Sequence, residues 1–274
     1  MGKFDGVLIC TDLDGTLLKN DKSISPENRA AIEYFKAEGG YFTFVTGRMP
    51  YYVSDLYHAI KPNAPIGCVN GGGLYDFENQ EYIWKQDLPC EAAELVRAVE
   101  AALPNVGFQV SAFYRSYFCK DNVTMEHFRK ITKLPNLRGQ YDAIPEPMAK
   151  VLFGTDEEEE IRQVEQILRS HPLAHNFDFI RSEKSLFEIL PKGVGKGNAI
   201  KKLAKHLDLD ANKTIAIGDY NNDISMFRAA KVGVAVANAC PDALAAADYI
   251  TVSNEEHAVA QIVSDLEQGK LFDI

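Results

Sequence analysis

The stretch CTDLDGTLL, Cys10 to Leu18, places Asp12 and Asp14 two residues apart, directly after the apolar run Val7-Leu8-Ile9-Cys10. The apolar run reads as a buried strand, and Asp14-Gly15 permits a tight turn behind it. Open α/β sheets collect ligands at the carboxyl ends of their strands, where this strand stops. Residues i and i+2 of an extended segment point the same way, so both carboxylates are expected to face one site while Leu13 turns back into the core. Two close carboxylates repel unless a cation intervenes. A hard, oxygen-seeking ion such as Mg²⁺ accepts a site with few carboxylates when phosphate supplies the remaining ligands.

The flanking sequence repeats the strand–helix rhythm. Ser25-Pro26-Glu27 reads as a helix start, with Ser25 as N-cap and Pro26 in the first turn. Apolar residues at Ala31, Ile32, Phe35 and Ala37 carry that helix to Gly39-Gly40. A strand over Tyr41–Val45 closes on Thr46-Gly47-Arg48. A helix over Tyr51–Ile60 and a third strand, Ile66–Val69, follow, the strand ending at Asn70-Gly71. Strand, helix, strand, helix, strand predicts a parallel sheet with crossover helices.

From about residue 84 the rhythm changes, after a hairpin around DFENQE. Helices near 91–103, 123–132 and 156–170 alternate with strand-like segments at 108–111, 117–119, 150–153, 176–180 and 186–190. This predicts an antiparallel sheet with helices on one face. After Pro191 the first rhythm returns: a helix from Lys196, a strand Thr214–Ile217 ending at Gly218-Asp219, a helix from Asn222, and two further strands. The expected fold class is α/β. A Rossmann-like parallel-sheet core over 1–83 and 190–274 is interrupted by an α+β cap domain over 84–189.

The chain has 274 residues and a formal net charge of −10, from 29 basic and 39 acidic side chains. Such a surface repels phosphate backbones and anionic membranes, which sets nucleic acid and membrane aside as partners. A small anionic substrate remains compatible, because a metal ion and a few local cations invert the potential inside one pocket. Five cysteines without a C-x-x-C pair read as free thiols in a reducing compartment, and no apolar run resembles a leader or a membrane span. The expected location is cytoplasmic.

Collected from the strand ends, the polar residues are Asp12 and Asp14; Thr46, Gly47 and Arg48; Asn70 and Gly71; and Asp219, Asn221, Asn222 and Asp223. Lys196 joins them from a helix start, where the helix dipole disfavours a cation unless an anion lies beside it. Arg48 is left open between substrate and a neighbouring carboxylate. Competing motifs fail on spacing. Asp219-x-Asn221-x-Asp223 has Ile224 and Ala230 where a calcium loop needs Gly and Glu. GVGKG lacks both the leading Gly and the Ser/Thr of a nucleotide P-loop. The histidines show no zinc spacing, and no G-x-S-x-G elbow exists.

Taken together, D-x-D-G-T at Asp12–Thr16, Thr46-Gly47-Arg48, Lys196 in KGNAI and GDYNND at Gly218–Asp223 resemble the four motifs of the haloacid dehalogenase superfamily of phosphatases. The α/β insertion between the second and third motifs resembles the Cof-type subgroup with a C2 (IIB) cap. The resemblance implies that Asp12 is the nucleophile, forming an aspartyl-phosphate, and that Asp14 is the general acid and base. It implies Mg²⁺ held by the Asp12 carboxylate, the Asp14 carbonyl and Asp219. Thr46, Gly47, Lys196 and Asn222 would hold the phosphoryl oxygens, and Asp223 would orient Lys196 or bound water. The cap would close over the site and read the leaving group. The expected activity is hydrolysis of a small phosphorylated metabolite, such as a sugar phosphate or a cofactor or nucleotide phosphate. A phosphomutase or phosphotransferase on the same core is the alternative, and a phosphate-ligand sensor without turnover a more distant one.

Overall fold

The computed structural model describes residues 2–272. Every residue of β1 (Leu8–Thr11) is buried. Helix α1 (Pro26–Ala37) starts as its sequence predicts: the Asn28 N–H donates to the Ser25 hydroxyl at 3.1 Å, with Pro26 in the first turn. The first stretch continues through β2 (Tyr41–Phe44), α2 (Ser54–Ile60), β3 (Ile66–Cys68), β4 (Gly73–Asp76) and β5 (Glu81–Lys85). Next come α3 (Ala92–Ala102), β6 (Gly107–Ala112), β7 (Ser116–Lys120), α4 (Val123–Thr132), β8 (Met148–Gly154), α5 (Glu158–Ser170), β9 (Phe177–Glu183) and β10 (Leu186–Pro191). The chain ends through α6 (Lys196–His206), β11 (Thr214–Gly218), α7 (Ile224–Ala229), β12 (Val232–Ala235), α8 (Pro241–Ala246), β13 (Tyr249–Ile250) and α9 (Ala258–Glu267).

These elements form two compact units. One takes the chain up to Gly47, Ser54–Trp84 and Gly195 onward; the other takes Arg48–Val53 and Lys85–Val194. The first is built on a parallel sheet of order β13-β12-β11-β1-β2. Its strands read as unbroken apolar runs because both faces of the sheet are buried: Leu8, Ile9, Cys10, Phe42, Phe44, Ile215, Ile217 and Val234 are all fully buried. β1 lies between β11 and β2, with Thr11 opposite Ile217 on one side and Phe44 on the other. The carboxyl ends of the three strands are therefore level, and the loops after them emerge at one edge.

The third strand departs from its expected place. Among the described residues, β3 joins the parallel sheet through an isolated bridge, Val45 to Gly67, and not through a ladder. It pairs antiparallel with β4 instead, Cys68 opposite Gly73, in a separate three-stranded sheet with β5. The cause is local: Val69, Asn70 and Gly71 all have positive φ and turn the chain straight back.

The second unit is an antiparallel sheet of order β7-β6-β8-β10-β9. Alternation along the strands gives it two unlike faces. Val110, Val151, Phe153, Phe187 and Ile189 pack with α3 and α5 in one core. Phe118, Leu152 and Leu186 pack with Met125 of α4 in another. Helix α4 thus lies on the opposite face from α3 and α5, which corrects the expectation of helices on one face only. Its apolar residues are too few to distinguish the two faces by sequence pattern.

Candidate active site

Asp12 continues the ladder of β1 by one residue, its N–H donating to the Ile217 carbonyl at 2.8 Å. The strand then breaks. Leu13 is fully buried and its carbonyl accepts from the Leu18 N–H at 2.8 Å, closing a turn over Asp14–Leu18. Gly15 has φ +76° and lies so close to the next loop that a Cβ there would stand 2.5 Å from Asp219 Oδ2. Only glycine satisfies both conditions. Two further bonds tie the turn down: Thr16 Oγ1 donates to Asp219 Oδ1 at 3.0 Å, and Asn238 Nδ2 donates to the Gly15 carbonyl at 2.8 Å.

The strand ends before Asp14, so the second aspartate sits in the turn that follows. The Asp14 carboxylate accepts from Lys22 Nζ at 2.8 Å in a partly exposed pair. Among the described residues, the carboxylates that converge within 4.8 Å are those of Asp12, Asp219 and Asp223. Asp12 thus gains two carboxylate neighbours from the loop after β11, and the charge of Asp14 also acts on Asp219.

Lys196, the first residue of α6, is 1% exposed and stands between two of these carboxylates. Its Nζ lies 2.7 Å from Asp12 Oδ1 and 2.6 Å from Asp223 Oδ1. The cation at a helix start is thus compensated by the protein's own anions. Burial alone would lower the Lys196 pKa, but Asp12 and Asp223 reverse that and the net shift is upward. Asp223 is fully buried, and its second oxygen accepts the N–H groups of Asp219 (2.9 Å) and Tyr220 (3.1 Å). With both oxygens engaged, Asp223 is suited to fixing Lys196 and the loop after β11 rather than to ligating an ion.

Thr46, Gly47 and Asn222 also come together in this unit, joined through a residue that the sequence reading placed but gave no role. The fully buried Asn70 donates its backbone N–H to the Thr46 carbonyl at 3.0 Å and accepts from Asn222 Nδ2 at 3.3 Å. Its Oδ1 lies 2.9 Å from where a Cβ on Gly47 would stand, so glycine is needed there for close approach. The visible signal was Asn-Gly after an apolar run, a pattern that marks a turn without saying where its side chain goes. Thr16 was visible as the last residue of D-x-D-G-T but without a role, and Lys22 and Asn238 gave no signal, since each acts from an exposed loop or through a partner distant in sequence. Arg48 belongs to the other unit.

Three carboxylates face a single ammonium in this cluster. Burial, reinforced by the charge of Asp223, pushes the Asp219 carboxyl up to about 7, and burial also holds Asp12 well above the usual range against the pull of Lys196. An excess of hard oxygen donors held in a buried place fits a small divalent cation of the Mg²⁺ type. Asp12 and Asp219 are the side chains suited to hold it.

A model of haloacid dehalogenase-like hydrolases matches residues 9–263. Among similar sequences is the 5-amino-6-(5-phospho-D-ribitylamino)uracil phosphatase YwtE of Bacillus subtilis, 29% identical and aligned over 96% of this chain and 98% of its own. A crystal structure of a haloacid dehalogenase-like hydrolase from Bacteroides thetaiotaomicron superposes with a TM-score of 0.82 at 27% identity, covering 96% of this chain and all of that one. A subclass IIB sugar phosphatase shares the fold at a TM-score of 0.81 and 24% identity, over 95% of this chain and 98% of its own.

Proposed function

The chain belongs to the haloacid dehalogenase-like hydrolases and is a phosphatase of that family, and from that premise we propose that it hydrolyses small phosphomonoesters through an aspartyl-phosphate on Asp12. The observation that carries the reading is the Asp12–Lys196–Asp223 relay. It fixes one oxygen of a buried carboxylate at a strand end and leaves Oδ2 for attack.

In this reading, Asp12 Oδ2 attacks phosphorus in line with the leaving oxygen. The P–O bond to the alcohol breaks as Asp14 delivers a proton to that oxygen. Asp14 then takes a proton from water, which attacks the phosphorus of the acyl phosphate and frees inorganic phosphate and Asp12. The Thr46 hydroxyl, the Gly47 N–H, the Lys196 ammonium and the Asn222 amide hold the phosphoryl oxygens. Phosphoryl transfer asks mainly for such positioning and charge neutralisation. Mg²⁺, held by the carboxylates of Asp12 and Asp219 and the Asp14 carbonyl, would supply further charge neutralisation. Asp223 keeps Lys196 in place, and the inserted segment 84–189 is the cap domain.

The substrate class follows the relatives, one named for a ribityl phosphate and one for sugar phosphates. A phosphorylated polyhydroxy metabolite is the proposed substrate. The test is phosphate release from a chromogenic phosphomonoester by wild type and Asp12→Asn, each with Mg²⁺ and with chelator, followed by a panel of sugar and cofactor phosphates. Turnover requiring both Mg²⁺ and Asp12 is expected. Turnover that survives Asp12→Asn would remove the nucleophile assignment.

A further inference from the structure

We propose that Asn70 is a positioning residue, which presets the Asn222 amide and the Thr46–Gly47 backbone for the transferring phosphoryl group. The proposal rests on the phosphatase reading and adds to it a residue outside the four motifs.

The geometry points to Asn70 because this one buried side chain and its backbone reach three members of the proposed phosphoryl-holding set. Its N–H is bonded to the Thr46 carbonyl at 3.0 Å, its Oδ1 lies against Gly47, and the same oxygen accepts from Asn222 Nδ2 at 3.3 Å. An asparagine amide has two N–H donors. With one of them engaged by Asn70, Asn222 keeps the other for a phosphoryl oxygen, and its rotamer is fixed before any substrate arrives. Preorganisation of this kind lowers the ordering cost of binding. It also joins the loop after β2 to the loop after β11 through one side chain.

The backbone supports the assignment. Asn70 has φ +53° and ψ +35°, and Val69 before it also has φ +53°. A β-branched residue in the left-handed region is a genuine outlier, and such strain concentrates where a side chain must be aimed. Val69 is fully buried, and its carbonyl accepts the Gly72 N–H at 3.0 Å to close the turn. The surroundings thus hold an unfavourable conformation whose product is the direction of Asn70.

The test is a double-mutant cycle on the full chain: wild type, Asn70→Gly, Asn222→Ala and the pair. Glycine tolerates the left-handed backbone and removes only the amide, so the turn is preserved. Two readouts are taken with Mg²⁺ present: kcat/KM for a chromogenic phosphomonoester, and the rise in unfolding temperature caused by inorganic phosphate. Each single change is expected to lower kcat/KM about tenfold, and the pair about tenfold rather than about a hundredfold, because the two amides act as one unit. The phosphate-induced rise should shrink with the same non-additivity. Losses that multiply, or an Asn70→Gly enzyme within about twofold of wild type, would overturn the assignment. Absence of turnover in the wild type counts against the phosphatase reading alone, since the phosphate-induced rise still reads the coupling. Absence of both in the wild type overturns both.

Discussion

Asp12 and Lys196 are 184 residues apart in the chain, yet their charged groups stand 2.7 Å apart in the interior. Removing the cation leaves Asp12 and Asp223 buried and facing each other without compensation. Lys196→Met is therefore expected to cost about 3–5 kcal/mol of stability as well as at least ~10²-fold in kcat. Lys196→Arg should not rescue it, because a planar fork cannot replace a point charge gripped from two sides. Urea unfolding and turnover measured on the same samples check both parts.

Cation binding should be visible without catalysis. Adding Mg²⁺ to the wild type is expected to raise the unfolding temperature, since a ligand that binds only the folded state stabilises it by mass action. Asp219→Asn removes the charge of one proposed ligand and keeps an amide oxygen that can still accept the Thr16 hydroxyl. The Mg²⁺-dependent rise should vanish in that variant. An equal rise in both proteins would place the ion elsewhere.

Gly15 is a sharper probe of the same region than any ligand. A methyl group there would meet Asp219 at 2.5 Å in a backbone conformation with φ +76°. Gly15→Ala is expected to lose about 1–3 kcal/mol and to lose the Mg²⁺ response along with turnover. A variant that kept the response would show the turn to be more yielding than its contacts indicate.

Stability should carry an acid limb from a carboxylate outside the candidate site. Asp265 is buried in α9 and accepts from Lys270 (2.8 Å), Gln261 (3.0 Å) and Tyr249 (3.1 Å). Burial alone would raise its carboxyl, but these donors outweigh burial and hold it below the usual range. A carboxyl depressed in the folded state contributes stability above its unfolded pKa of about 4 and loses it as pH falls through the folded value. Asp265→Asn is therefore expected to cost about 1–3 kcal/mol at neutral pH, and less below about pH 4. Denaturant curves at the two pH values provide the check.

The parts of the fold legible in the sequence were those decided by local pattern. Val7–Cys10 announced a buried strand, and Ser25-Pro26 announced the start of α1 that the structure shows. Lys196 was legible as an electrostatic oddity, and its resolution by Asp12 and Asp223 needed the three-dimensional arrangement. What stayed hidden depended on where a chain turns. β3 reads equally well as a parallel or an antiparallel strand, and the left-handed turn at Val69–Gly71 decides the matter. Asp14 was legible as the start of a tight turn after β1, but the Lys22 partner of its carboxylate was not. Asn70 belonged to the same blind spot, since turn chemistry identifies the bend and not the neighbour it faces.

The split in the first unit has a consequence for the order in which the nascent chain acquires structure. Lys85–Val194 is one continuous stretch, so most of the second unit is available to fold as soon as it leaves the ribosome. β1 has no such freedom: its partner β11 begins only at Thr214. At ~5–20 residues per second the strand bearing Asp12 must wait on the order of ten to forty seconds for that neighbour. During that interval an apolar segment stands without half of its ladder, and the strand that bears Asp12 is completed only after the inserted stretch has been made.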